Sequence, residues 1–290
     1  MQIDVVCEKT MLLGESPLWH PLENCLYWVD IVAATLYRLN VADKSLQEFG
    51  MPSQIGSIAW RAKGGLIAAL SNHFAYVDTQ VGSTQMIASP LRGQYGVMFN
   101  DGKCDRQGRF WAGTKDIEEQ NPLGSLYCLD TAANVTEILR HNFTVSNGIA
   151  WSLDNSQMYI CDSPSRKIYQ YEFDSITGQL GKFRIFAEVP ESKGFPDGLT
   201  VDDEDHVWSC HWDGWQITRY DPTGDIVGVI PMPIPRPTSC CFGGPDFKTL
   251  YVTSASVGLS ASDLQDAPQT GHVFAVQLGV QGLAEPAYRG

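Results

Sequence analysis

Apolar residues come in short bursts along this chain, two to five at a time, with Gly, Asp, Asn and Pro clustered between them. Leu26-Tyr-Trp-Val-Asp30, Gly65-Leu-Ile-Ala-Ala-Leu70, Arg109-Phe-Trp-Ala-Gly113, Gln157-Met-Tyr-Ile-Cys161, His206-Val-Trp-Ser-Cys210 and Thr249-Leu-Tyr-Val-Thr253 are six such runs. They are rich in β-branched and aromatic residues, and the polar clusters between them read as tight turns, so they predict short antiparallel strands. No sustained helical spacing competes with that reading.

Each run is flanked by similar neighbours. A lead segment precedes it, opening at Glu15, Gly56, Asn100, Asn147, Asp197 or Thr238, and a third strand-like segment follows, such as Thr35-Leu-Tyr-Arg-Leu39 or Lys167-Ile-Tyr-Gln-Tyr171. The repeat length is roughly 41–50 residues, as expected of a four-stranded propeller blade. A blade cannot bury both faces alone, so the pattern predicts an all-β, six-bladed β-propeller of antiparallel blades forming a single domain over residues 1–290. The sixth repeat lacks an outer strand, whereas Gln2-Ile-Asp-Val-Val6 precedes the first. Pairing of these terminal segments is expected to close the ring.

Composition adds class information. Hydrophobic residues make up 43% of the chain and charged ones 18%, with 8 Trp available to fill blade interfaces. No stretch approaches a membrane span, and the first residues lack the basic and apolar regions of a secretory signal, so the cytoplasm is expected. A net charge of −13 with no Lys/Arg cluster disfavours nucleic acid and anionic lipid as partners. The 8 Cys include no C-x-x-C pair and are expected to be buried free thiols. Oligomeric state is not legible.

Glu15, Asn147 and Asp197 share one phase of the repeat, with Asn100 in the same phase. Equivalent positions in different blades surround the same end of the channel. Two carboxylates and an amide carbonyl form a hard-oxygen set suited to Ca²⁺, Mg²⁺ or Mn²⁺. Singly, Asn147-Gly148 and Asp197-Gly198 are ordinary turn dipeptides. No G-x-S-x-G, H-E-x-x-H or P-loop is present, and the 6 His are scattered, which argues against a His-ligated zinc site. His211 is a further candidate for the channel wall, with structural packing as its alternative. His20 reads as structural.

The motifs Leu13-Gly-Glu-Ser-Pro-Leu-Trp19, Phe99-Asn-Asp-Gly-Lys-Cys-Asp105, Ser146-Asn-Gly-Ile-Ala-Trp-Ser152, Pro196-Asp-Gly-Leu-Thr-Val-Asp202 and Thr238-Ser-Cys-Cys-Phe-Gly-Gly244 stand in order along the chain. Together they resemble the SMP-30/gluconolactonase/regucalcin-like family of metal-binding propellers that hydrolyse sugar lactones. The resemblance implies that Glu15, Asn147 and Asp197 are metal ligands, that Asp197 is also the general base, and that Asn100 and Glu118 contact substrate. Met98 stands where family members acting on aldonolactones often carry Arg, exchanging a fork of donors for an apolar wall and altering the expected sugar preference.

The expected function is a metal-dependent lactonase that opens a small sugar lactone, with one divalent cation, Ca²⁺ foremost and Zn²⁺, Mg²⁺, Mn²⁺ or Fe²⁺ as alternatives. Phosphoester or organophosphate cleavage, a non-catalytic calcium-binding regulator and a pure interaction propeller are the competing readings.

Overall fold

The computed structural model describes residues 2–290. Six four-stranded antiparallel sheets form a six-bladed β-propeller. The innermost strands are Gly14–His20, Ile55–Trp60, Val97–Cys104, Ser146–Trp151, Phe195–Val201 and Pro237–Gly243, in blades 1 to 6. They are almost wholly buried, whereas an outermost strand such as Leu180–Glu188 is largely exposed. Burial on both faces explains why second strands such as Leu66–Leu70 are continuously apolar rather than alternating.

Packing follows the ring. Six clusters of buried side chains sit between neighbouring blades among the described residues. Aromatic residues fill them: Trp111 is fully buried and meets Trp151 of the next blade edge-on at 6.2 Å. The indoles of Trp111 and Trp208 donate to the buried carboxylates of Asp105 and Asp202, both at 2.8 Å. All 8 cysteines are free and buried.

The N-terminal strand Ile3–Cys7 is the outer strand of blade 6, pairing Ile3 with Val276, Asp4 with Ala275 and Val5 with Phe274. First and last strands of the chain thus share one sheet, as the incomplete sixth repeat suggested. One helix was not anticipated. Ala261–Asp266 lies in the long connection of blade 6 and is opened by a capping box between Ser260 and Asp263. That signature was readable, but six residues are too few to carry a periodic pattern.

Residues beyond Val280 form a strap across the back of the ring, at the end opposite Glu15. Gly282 donates to the Phe247 carbonyl at 2.8 Å, the Tyr288 amide to Trp60 at 2.6 Å and the Arg289 amide to Gly108 at 3.0 Å. The Tyr288 hydroxyl, on a fully buried ring, donates to the Asp130 carbonyl at 2.8 Å. In the channel, Glu285 pairs with Lys103 at 2.8 Å. No helix of the described residues is long and apolar enough to cross a membrane.

Candidate functional site

All six inner strands break register at the same level: between Glu15 and Leu18, Ile55 and Ser57, Phe99 and Gly102, Asn147 and Ile149, Pro196 and Leu199, and Pro237 and Cys240. A bulge inserts a residue and re-aims its side chain. Asn100 and Asp197 lie inside their bulges, and Glu15 and Asn147 are the last paired residues before theirs, so all four sit at the level of the break. Glycine supports the geometry where backbones come closest. Gly148 has φ 45°, and a Cβ on it would lie 2.6 Å from the Asp197 carbonyl oxygen, so only glycine fits between blades 4 and 5.

Glu15, Asn100, Asn147 and Asp197 are all buried at this level, each less than a tenth exposed. The Asn100 amide nitrogen donates to Asn147 Oδ1 at 2.8 Å and to the Ser146 carbonyl at 3.0 Å. Asn147 donates through Nδ2 to Ser163 Oγ at 3.0 Å, which fixes its Oδ1 away from that serine. Among the described residues, Glu15 accepts only the amide of Ser16, at 3.0 Å, and Asp197 Oδ1 is buried without a protein partner. An orphaned carboxylate oxygen of this kind is costly in an ordinary core and points to a group outside the chain.

Electrostatics agree. Burial raises the pKa of Glu15 and Asp197 well above the usual carboxylate range, and repulsion from Asp197 and Asp101 adds to it for Glu15, from Asp101 for Asp197. Burial also raises Asp101, against the pull of Lys103. Lys115 pulls Asp197 back down. Acids gathered around a small volume with too little positive charge suit a bound cation. Among the described residues, no group of three or more His, Cys, Asp or Glu side chains could hold a metal ion. A set built here therefore has to include an amide oxygen, and Glu15, Asp197 and Asn147 Oδ1 form such a hard-oxygen set. The residues fit a divalent cation.

Other candidates lie differently. Met98 is 6% exposed and packs into the apolar cluster between blades 1 and 2. Glu118 is exposed in the turn after strand Phe110–Asp116, its backbone amide held by Asp116 at 3.3 Å. His211 is buried, and its Nδ1 lies 3.0 Å from the Lys193 carbonyl. A carbonyl only accepts, so Nδ1 carries the proton and Nε2 faces the Tyr220 hydroxyl at 3.5 Å. Both ring nitrogens thus face protein groups, a packing role. Asp101 and Lys115 were not singled out from sequence; Asp101 shares the bulge of Asn100 and could have been read from the same phase.

Burial lowers the His211 pKa from 6.5 to about 4. The unfolded chain takes up a proton below pH 6.5 that the folded chain refuses until about pH 4. His211 therefore withdraws about 3 kcal/mol of stability as pH falls through that window, and nothing above it. In urea melts, the stability difference between wild type and His211→Gln should shift by that amount between pH 7.5 and 4. A pH-independent difference would show that the imidazole is not held neutral.

With this geometry in hand, similarities to known proteins become informative. Residues 13–256 match the SMP-30/Gluconolactonase/LRE-like region. Regucalcin of Xenopus laevis is 35% identical over 298 residues, covering 100% of this chain and 99% of the relative. The 6-deoxy-6-sulfogluconolactonase of Pseudomonas putida is 36% identical over 286 residues, covering 98% of each. A crystal structure of a calcium-binding protein, regucalcin, from Agrobacterium tumefaciens superposes with a TM-score of 0.94 at 28% identity, over 99% of this chain and 97% of that one.

Proposed function

We propose that this chain, which belongs to the SMP-30/gluconolactonase/LRE-like family, is a divalent-metal-dependent hydrolase that opens sugar lactones to the hydroxy acid. A relative of similar length acts on a sulfonated gluconolactone, as its name states. The observation that carries the reading is Asp197 Oδ1, a buried carboxylate oxygen without a protein partner among the described residues, near enough to Glu15 to repel it and at the level of the Asn100–Asn147 pair. Eight free, buried thiols support a reducing, cytoplasmic setting.

Glu15, Asn147 Oδ1 and Asp197 would hold the cation, Ca²⁺ foremost. When bound, a divalent cation supplies Lewis-acid polarisation of the lactone carbonyl. Asp197, through its free oxygen, takes the proton of a water as that water attacks the carbonyl carbon. The ring C–O bond then breaks, and the departing alkoxide recovers a proton to give the hydroxy acid. Asn100 has its amide nitrogen engaged on Asn147 and Ser146, which leaves its Oδ1 to accept from water or a sugar hydroxyl. Ser163 braces Asn147 and donates to the Pro196 carbonyl at 2.7 Å, tying blade 4 to the residue before Asp197.

Exhaustive chelation, verified by elemental analysis, should lower lactone turnover at least about 100-fold, and divalent cations added singly should restore it. The same titration should raise Tm, because a ligand that binds only the folded chain stabilises it. Glu15→Gln should weaken both responses. Full turnover by the stripped protein ends the metal-assisted reading. A cation-dependent Tm without turnover of any lactone or paraoxon-like ester favours a calcium-holding protein, as the Agrobacterium tumefaciens regucalcin is named a calcium-binding protein.

A further inference from the structure

One cation at the mouth has no place in this chemistry. Lys115 lies on the second strand of blade 3 (Phe110–Asp116), directly opposite Met98 in the ladder and two positions before the bulge at Asn100. Its backbone also bridges Val145, two residues before Asn147 in blade 4. Lys115 thus stands at the level of the ligand set, between the blades that supply Asn100 and Asn147. Its side chain is 14% exposed and its ammonium pairs with Glu119, whose side chain is 52% exposed on a turn with φ 56°. Lys115 and Glu119 both act electrostatically on Asp197 of blade 5, in opposite directions, so the pair lies near the ligand set.

Neighbouring cations are differently engaged. Arg166 donates to the Gly194 carbonyl at 3.1 Å and lies over the Phe195 ring, and Arg236 is held by Asp213 and the Val257 carbonyl. Among the described residues Lys115 has one partner, a half-exposed carboxylate on a turn, and water's competition for that carboxylate weakens the pair. An anion arriving in the half-buried mouth competes well for that ammonium.

Resting on the lactonase reading, we propose that Lys115 is a specificity-determining residue whose ammonium exchanges Glu119 for an oxyanion carried by the lactone away from its carbonyl. A carboxylate, sulfonate or phosphate substituent offers the same chemistry. Met98, opposite Lys115 and packed into the core, leaves that side of the mouth without a competing donor.

The test compares kcat/KM for D-glucono-1,5-lactone with that for lactones carrying a terminal carboxylate, sulfonate or phosphate, using the metal-loaded protein. Wild type should favour at least one anionic lactone, with the advantage shrinking as salt rises. In Lys115→Met the anionic-to-neutral ratio should fall about 10- to 100-fold, mostly through KM, the scale of a hydrogen bond to a charged group. Lys115→Arg should recover much of the ratio, and Glu119→Gln should raise it. Using the ratio cancels any effect Lys115 has on Asp197, and Lys115→Gln replaces Lys115→Met if the latter does not fold. The arms of the panel identify which oxyanion is read. No turnover of any lactone would sink the lactonase reading itself. Turnover with a ratio unmoved by all three substitutions would overturn the role of Lys115 alone.

Discussion

Asp197→Asn is expected to lose on the order of 10³-fold or more in kcat/KM for lactones, because one substitution removes both a charged ligand and the base. The stability change should run the other way. Asp197 is buried, its Oδ1 has no partner, and Asp101 repels it. A neutral amide of nearly the same shape relieves that repulsion, so in the absence of divalent ions the variant should melt a few degrees higher than wild type. Opposite movement of activity and Tm is the mark of a residue held under strain for function. A variant keeping a tenth of wild-type kcat/KM would remove Asp197 from the mechanism.

Deleting residues 2–8 should lower Tm by about 10 °C or send the protein into aggregates, the larger of the expected structural effects. The deletion strips Ile3–Cys7 from blade 6 and exposes the long edge of Val273–Gln277, whose residues are otherwise largely buried. It also removes the contact that links the two ends of the chain. Calorimetry on the purified variant decides the matter, and an unchanged melt would mean that the terminal strand is an ornament on a ring stable without it.

Repeat phase was the most legible feature of this chain. It puts Glu15, Asn100, Asn147 and Asp197 at one phase, and in the structure the four lie at one level, where each inner strand breaks register. The bulges themselves were hidden. They arise from backbone packing between blades, which leaves no composition of its own beyond small residues such as Gly56 and Gly148. Met98 and Glu118 were assigned from motif position, and motif position does not report where a side chain points: one lies in a core cluster and the other in solvent. Lys115 escaped notice for the complementary reason. It is a lone lysine near the end of a strand, and its significance comes only from its ladder partner Met98 and the next blade's Val145.

The C-terminal strap has a kinetic consequence. Glu285 and Pro286 reach the channel axis behind Asp101 and Lys103, and the spaces left beside them are cavities of about 20 and 50 Å³. Volumes of that size admit a few waters at most and no sugar. The channel is therefore a cul-de-sac, and whatever enters past Lys115 has to leave the same way. The ring-opened acid must back out before the next lactone can dock, so accumulated product and fresh substrate contend for one doorway. Progress curves should bend early, and added product should raise the apparent KM while leaving kcat alone.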